Sequence, residues 1–279
     1  MRELHHLCAT AVLALIALGG PAILADDEKQ GWTDTAEFAF VATDGNSESS
    51  SLGFKNTLGR EWDKSGVVFR VGGIRVESTT FTRTALDGDV MEDEDSETTA
   101  EAYFANGRYD RKITDRFFWF AGAGWDRNEP SGIKNRYIAE GGIGNIWFDS
   151  DDVKFQTSYG VTYTDQEDVV EDPSVDDTFI GARFAWDYMN KLGENTTYTN
   201  TLVLDENLDE TSDWRADMLN GLAVAMSEKL ALKVGLRLLY DNEPAIELVP
   251  NTGLGPPEVE YPLDELDTIL TISLVVDFK

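Results

Sequence analysis

From residue 32 onward the chain divides into segments of about ten residues in which apolar and polar positions alternate, the period that sends successive side chains to opposite faces of a β-strand. In residues 153–164, Val153, Phe155, Thr157, Tyr159, Val161 and Tyr163 share one face, and Lys154, Gln156, Ser158, Gly160, Thr162 and Thr164 share the other. Residues 230–241 repeat the pattern, with Leu230, Leu232, Val234, Leu236, Leu238 and Tyr240 set against Lys233, Gly235 and Arg237. In residues 178–188, Ile180, Ala182, Phe184, Trp186 and Tyr188 oppose Arg183, and residues 268–278 end the chain with the apolar row Leu270, Ile272, Leu274, Val276 and Phe278.

Eight further segments carry the alternation in blurred form: 32–43, 49–62, 67–77, 98–109, 116–126, 136–148, 197–204 and 214–226. Glycine pairs such as Gly72-Gly73 and Gly141-Gly142 interrupt it and predict bulges that shift the register. Together the segments predict an all-β chain of about a dozen strands, each near the length a tilted membrane strand needs.

The connections alternate in length. Residues 63–66, 112–115, 149–152, 190–195 and 227–229 are short, whereas 85–97, 126–135, 165–177, 205–213 and 241–267 are longer and acidic. Short turns at one end and long loops at the other predict a single antiparallel transmembrane β-barrel, with short periplasmic turns and long acidic external loops. A soluble β-sandwich would share the strand pattern but gives no reason for the long loops to alternate with short ones.

The first 25 residues differ from the rest. Arg2 opens a short polar stretch, residues 7–18 are almost unbroken apolar, and Ala22-Ile23-Leu24-Ala25 precedes Asp26-Asp27-Glu28. This predicts a cleaved signal peptide over 1–25, a short periplasmic segment over 26–31 and a barrel over 32–279. His5, His6 and Cys8 are the chain's only histidines and its single cysteine, and all three lie in that leader. The remaining chain therefore has no inventory for Ser-His or Cys-His catalysis, for His-based proton transfer, for the usual zinc, haem or iron–sulfur ligation, or for disulfides.

Charge narrows the field further. Lys and Arg number 23 against 52 Asp and Glu, a net charge of −29, so the clustered basic side chains that bind nucleic-acid phosphates are missing. The long connections 85–97, 165–177, 205–213 and 241–267 contain no Lys or Arg, which places most of the negative charge at one rim. Such loops keep an exposed end soluble. The alternative is capture of Ca²⁺ or Mg²⁺ by clustered carboxylates, although Asp87-Gly88-Asp89 and Glu92-Asp93-Glu94-Asp95 lack EF-hand spacing.

With the apolar alternate taken as the lipid side, the inward charges are Glu37, Lys55, Arg70, Glu140, Lys154, Arg183, Asp217, Lys233 and Arg237, six basic and three acidic. Charges inside a membrane require pairing or water, so this ladder predicts a polar lumen. If open, such a lumen is expected to prefer small anions; if the side chains form salt-bridged layers, it is plugged. The residues Leu270, Ile272, Leu274, Val276 and Phe278 are expected to form the outward row of the strand that closes the barrel.

Trp32, the strand Ala36-Glu37-Phe38-Ala39-Phe40-Val41-Ala42-Thr43, the turn Asp44-Gly45-Asn46-Ser47-Glu48 and the polar Ser49-Ser50-Ser51-Leu52 resemble the opening of the salt-induced outer membrane protein family, whose function is unknown. The resemblance extends to the aromatic-terminated last strand, from which the trailing Lys279 is a small departure. It implies an outer-membrane barrel and supplies no reaction, ligand or catalytic residue. Three readings follow: a non-enzymatic barrel acting as a narrow channel or envelope component, a plugged structural or adhesion barrel, and a carboxylate-based hydrolase. Exposed acids in loops are poorly placed to raise a pKa, which disfavours the last. No cofactor or metal site is implied. The expected partners are outer-membrane lipid, the barrel-assembly machinery and small ions or solutes.

Overall fold

A computed structural model describes residues 31–43, 48–86, 89–170, 176–250 and 258–278. The expected leader over 1–25, residues 26–30 of the segment after it, residues 44–47 of the first turn and Lys279 lie outside the described residues. The strands in chain order are β1 (Trp32–Thr43), β2 (Glu48–Trp62), β3 (Ser65–Leu86), β4 (Asp89–Thr114), β5 (Phe117–Asn128), β6 (Ile133–Asp149), β7 (Val153–Asp168), β8 (Thr178–Lys191), β9 (Thr196–Asn207), β10 (Trp214–Ser227), β11 (Leu230–Asp241), β12 (Ile246–Pro250), β13 (Glu258–Pro262) and β14 (Leu266–Phe278). One turn of 3-10 helix, Glu129–Ser131, interrupts the series, and no described helix is long and apolar enough to cross a membrane.

Twelve of the strands form a closed antiparallel barrel in the order β1-β14-β11-β10-β9-β8-β7-β6-β5-β4-β3-β2, and β12 pairs with β13 as a separate hairpin. Closure is made by β14, where Val276 stands opposite Ala36 and Phe278 opposite Asp34 of β1. Because the ring is complete, no barrel strand keeps an unpaired edge over its full length. Twelve strands at a spacing of about 4.8 Å and a tilt near 40° enclose a wall about 24 Å across, backbone to backbone. A strand of twelve residues at that tilt rises about 30 Å, enough to cross an outer-membrane apolar band of about 25 Å.

The distribution of burial is the reverse of a soluble protein's. Leu270 is 66% exposed and Ile272 61%, whereas Arg183 is 5% and Asp187 3% exposed. Apolar side chains therefore point out and charged ones point in, the arrangement of a barrel solvated by lipid. Near the short-turn end the outward face carries Trp32, Trp62, Trp119 and Trp147, and the Arg60 guanidinium lies over the Trp32 and Trp62 rings at 5.6 and 5.1 Å. Near the long-loop end it carries Tyr137, Tyr163 and Trp214, the last against Tyr240. Amphipathic rings at both ends of an apolar band match the two interfaces of a bilayer.

Three expectations need correction. The segment 85–97 is not a loop: β3 pairs with β4 up to Leu86 opposite Asp89, far beyond the end of β2 at Thr79 and of β5 at Ala102. The two strands thus leave the rim as an extended ribbon paired only with each other. Residues 241–267 are not one irregular loop but contain the β12–β13 hairpin. The glycine pairs, finally, produce no bulge; register shifts fall instead at Val76/Glu77, Lys112/Thr114, Asp126/Asn128, Ile133/Asn135, Ile146/Phe148 and Ala225/Ser227.

What the glycines provide is room. A Cβ on Gly72 would meet the Phe104 ring and the Phe54 carbonyl oxygen, both at 2.7 Å, and a Cβ on Gly142 would overlap backbone atoms of Tyr159 and Gly160 and the Phe120 ring. Glycine on β6 lets the inward rings of Phe118 and Phe120 lie against the wall.

Candidate functional site

The strand alternation and the register bring the nine expected inward side chains onto one continuous inner surface, and they fall into separate groups along it. Glu37 on β1 lies between two ammonium groups, Lys55 on β2 at 3.3 Å and Lys233 on β11 at 3.0 Å. The second contact passes over β14 and joins residues 196 positions apart in the chain. Arg237 on β11 donates to both carboxylate oxygens of Asp217 on β10, at 2.8 and 2.5 Å. Lys154 on β7 stands near the short-turn end, 3.9 Å from Asp149.

The middle of the barrel holds a longer chain of charges. Arg108 on β4 contacts Asp110 at 3.0 Å and Glu140 on β6 at 3.9 Å; Glu140 accepts a 2.6 Å hydrogen bond from Arg183 on β8, and Arg183 grips Asp205 on β9 with bonds of 2.6 and 2.8 Å. This relay runs around half of the wall from β4 to β9. The Arg108 guanidinium also lies 3.7 Å from the centre of the Phe120 ring, so one cation faces both a π-system and two carboxylates. Arg70 on β3 stands opposite Asn106 of β4 in the register. The Oδ2 atom of Asp187 and the Oγ atom of Ser158 are buried without a hydrogen-bond partner among the described residues.

At the long-loop end Arg215 on β10 donates to the Gln166 side chain of β7 at 2.9 Å and contacts Asp241 at 3.1 Å and Asp213 at 3.4 Å. The contact to Gln166 skips β8 and β9, so this side chain reaches into the mouth of the barrel. Arg136 on β6 pairs there with the fully buried Asp126 of β5 at 3.2 Å.

Sequence reasoning missed Arg108, Asp110, Asp126, Arg136, Asp187, Asp205 and Arg215. The signal was present for some: Arg108 and Asp110 continue the alternation of Ala102, Phe104 and Asn106, and Asp187 continues that of Arg183 and Ala185. Asp205 and Asp213 fell in a segment read as loop, yet Asp205 is inside β9 and Asp213 is buried against Asn207 and Arg215. These residues correct the inward tally. With them the tally changes from six basic and three acidic to nine basic and seven acidic, so the excess that favours small anions narrows.

Apolar side chains share the buried interior with these charges: Val68, Ile74, Phe104, Phe118, Phe120 and Ile146 are buried, the last three as one cluster. No three His, Cys, Asp or Glu side chains among the described residues gather in a geometry that would hold a metal.

A family model described as "Protein of unknown function, DUF481" matches residues 36–278. Solved structures similar to the chain include the NanC porin, 12% identical over 88% of this chain and 99% of that one with a TM-score of 0.45. The KdgM porin in complex with disordered oligogalacturonate is 7% identical over 89% of this chain and 100% of that one, with a TM-score of 0.44. An anion-selective porin from Comamonas acidovorans is 10% identical over 89% and 99%, with a TM-score of 0.37. No curated protein matches the chain.

Proposed function

We propose that this chain, which belongs to the DUF481 family of proteins of unknown function, is a non-enzymatic barrel of the Gram-negative outer membrane whose lumen is a narrow hydrated passage for small ions and solutes. The observation that carries this reading is the polar part of the interior: inward charges are paired along the wall, and the buried Ser158 Oγ and Asp187 Oδ2 atoms have no hydrogen-bond partner among the described residues. Buried polar atoms of this kind are satisfied by water, and paired charges tolerate a lumen better when water reaches them. The inward side chains narrow a wall about 24 Å across, most at the level of the buried Arg108, Arg183 and Asp187.

In this orientation the short turns face the periplasm, and the β3–β4 ribbon and the β12–β13 hairpin face outward. Liposomes carrying the folded protein should admit a sugar the size of a pentose and exclude an oligosaccharide of four or more units. The plugged reading is favoured by the buried salt-bridged relay from Arg108 to Asp205 and by the Arg215 contact to Gln166 across the mouth, and predicts that neither solute enters.

The terminal strand supports a second expectation. Phe278 lies on the outward face of the closing strand, opposite Asp34 at the short-turn end. Recognition of that strand by the barrel-assembly machinery makes Phe278→Asp and removal of residues 275–279 lower the level of folded barrel in the membrane fraction. Unchanged levels for both variants would remove the closing strand from the assembly signal. The salt-induced character suggested by the opening motif predicts that transcript levels rise when external salt is raised, and a flat response would remove it.

A further inference from the structure

On the outward face of β8, β9 and β10 a polar relay occupies positions where the rest of that surface is mainly apolar and aromatic. The Trp186 indole N–H donates to Asn200 Oδ1 at 2.7 Å, the Asn200 amide donates to Asn220 Oδ1 at 2.9 Å, and the Tyr198 hydroxyl donates to the same oxygen at 2.8 Å. An indole nitrogen can only donate, so Asn200 must turn its oxygen to Trp186 and its amino group to Asn220, and Asn220 must answer with its oxygen. The direction of the relay is thereby fixed. It ends on the Asn220 Nδ2 group, whose two hydrogens have no acceptor among the described residues.

The position of that end is what makes it costly. Asn220 is the seventh of the 14 residues of β10, flanked on its own face by Met218 and the exposed Leu222, which puts it near the middle of the apolar band. Lipid tails offer no acceptor, and an amide left unpaired there is strongly disfavoured. The relay carries a suitable acceptor of its own: Tyr198 donates to Asn220 and keeps lone pairs on its hydroxyl oxygen. Because Tyr198 and Asn220 touch, they lie at the same height. In a second copy with the same orientation in the membrane, its Tyr198 meets the Asn220 amide at that height.

We infer that the outward face of β8, β9 and β10 is an interface between two copies of this chain, closed by hydrogen bonds from each Asn220 amide to the Tyr198 hydroxyl of the other. The inference rests on the membrane reading above, which supplies the medium that makes an unpaired amide costly.

Disulfide cross-linking in native membranes tests it, since the barrel segment 32–279 contains no cysteine of its own. Leu222→Cys, beside Asn220, is expected to give a cross-linked dimer, while Val71→Cys on β3, outward and on the far side of the ring, gives little. Adding Asn220→Leu to Leu222→Cys should lower the dimer about tenfold, the effect of one to two lost hydrogen bonds within a membrane. Heat-modifiable migration and recovery in the membrane fraction show that each variant is a folded barrel in lipid, and loss of those two signals overturns the membrane reading itself. Equal cross-linking at Leu222 and Val71, or a dimer yield untouched by Asn220→Leu, overturns the interface. If Asn220→Leu fails to fold, the comparison of the two cysteines alone decides.

Discussion

Arg183→Ala is expected to destabilise the barrel by about 3–5 kcal/mol, the cost of leaving buried carboxylates without their counter-charge. Arg183 is buried and makes hydrogen bonds to Glu140 on β6 and to both oxygens of Asp205 on β9, so its loss leaves carboxylates on two strands facing each other without a cation between them. Arg183→Lys should recover part of the loss, because an ammonium supplies the charge but not the planar fork that grips Asp205. Lys134→Ala is the contrast: its pair with Glu167 is half exposed, and removing it should leave stability almost unchanged. Urea unfolding in lipid vesicles, followed by the shift in gel migration on heating, measures all three. A loss below about 1 kcal/mol for Arg183→Ala would falsify the role given to the relay.

The second large effect concerns neighbouring glycines that the sequence makes look equivalent. A Cβ on Gly142 would overlap the Tyr159 carbonyl oxygen and lie 2.6 Å from Gly160 Cα, both backbone atoms of β7 that cannot rotate away. On Gly141 the same atom meets nothing closer than the Phe120 carbonyl oxygen at 3.7 Å, an ordinary contact. Gly142→Ala should therefore separate β6 from β7 and cost about 3 kcal/mol or prevent assembly, whereas Gly141→Ala should be tolerated within about 1 kcal/mol. Levels of folded protein in the membrane fraction distinguish the two. Equal behaviour of the pair would mean that the β6–β7 ladder relaxes around the added methyl group.

Strand positions are legible in this chain because lipid favours apolar residues at most alternate positions, those of the outward face, whatever the other face does. The extents are less legible. Asp126, Asp205 and the acidic run Glu92-Asp93-Glu94-Asp95 are poor strand formers by composition, and at these places the alternation does not reveal how far the strand extends. At Asp126 and Asp205 the reason for an acid is an arginine on a neighbouring strand, Arg136 and Arg183, and that partner is set by register and tilt. The same holds for Lys233 and Glu37, which no local pattern joins. Gly72 and Gly142 look like interruptions in the sequence, but they are places where a ring or a backbone on the next strand comes close.

The balance of inward charge carries through to transport. Paired arginines and carboxylates on the wall leave little net field in the lumen, so permeation should show weak ionic preference in concentrated salt, where the acidic outer rim is screened within a few ångströms. As salt is lowered the rim should draw cations to the mouth and tilt the preference toward them. Reconstitution of the folded, heat-modifiable barrel into a planar bilayer tests the central claim most directly: small, uniform conductance steps are predicted, with a reversal potential near zero under a gradient of concentrated KCl. A bilayer that stays silent at every salt concentration while the protein is shown to be inserted and folded would contradict it.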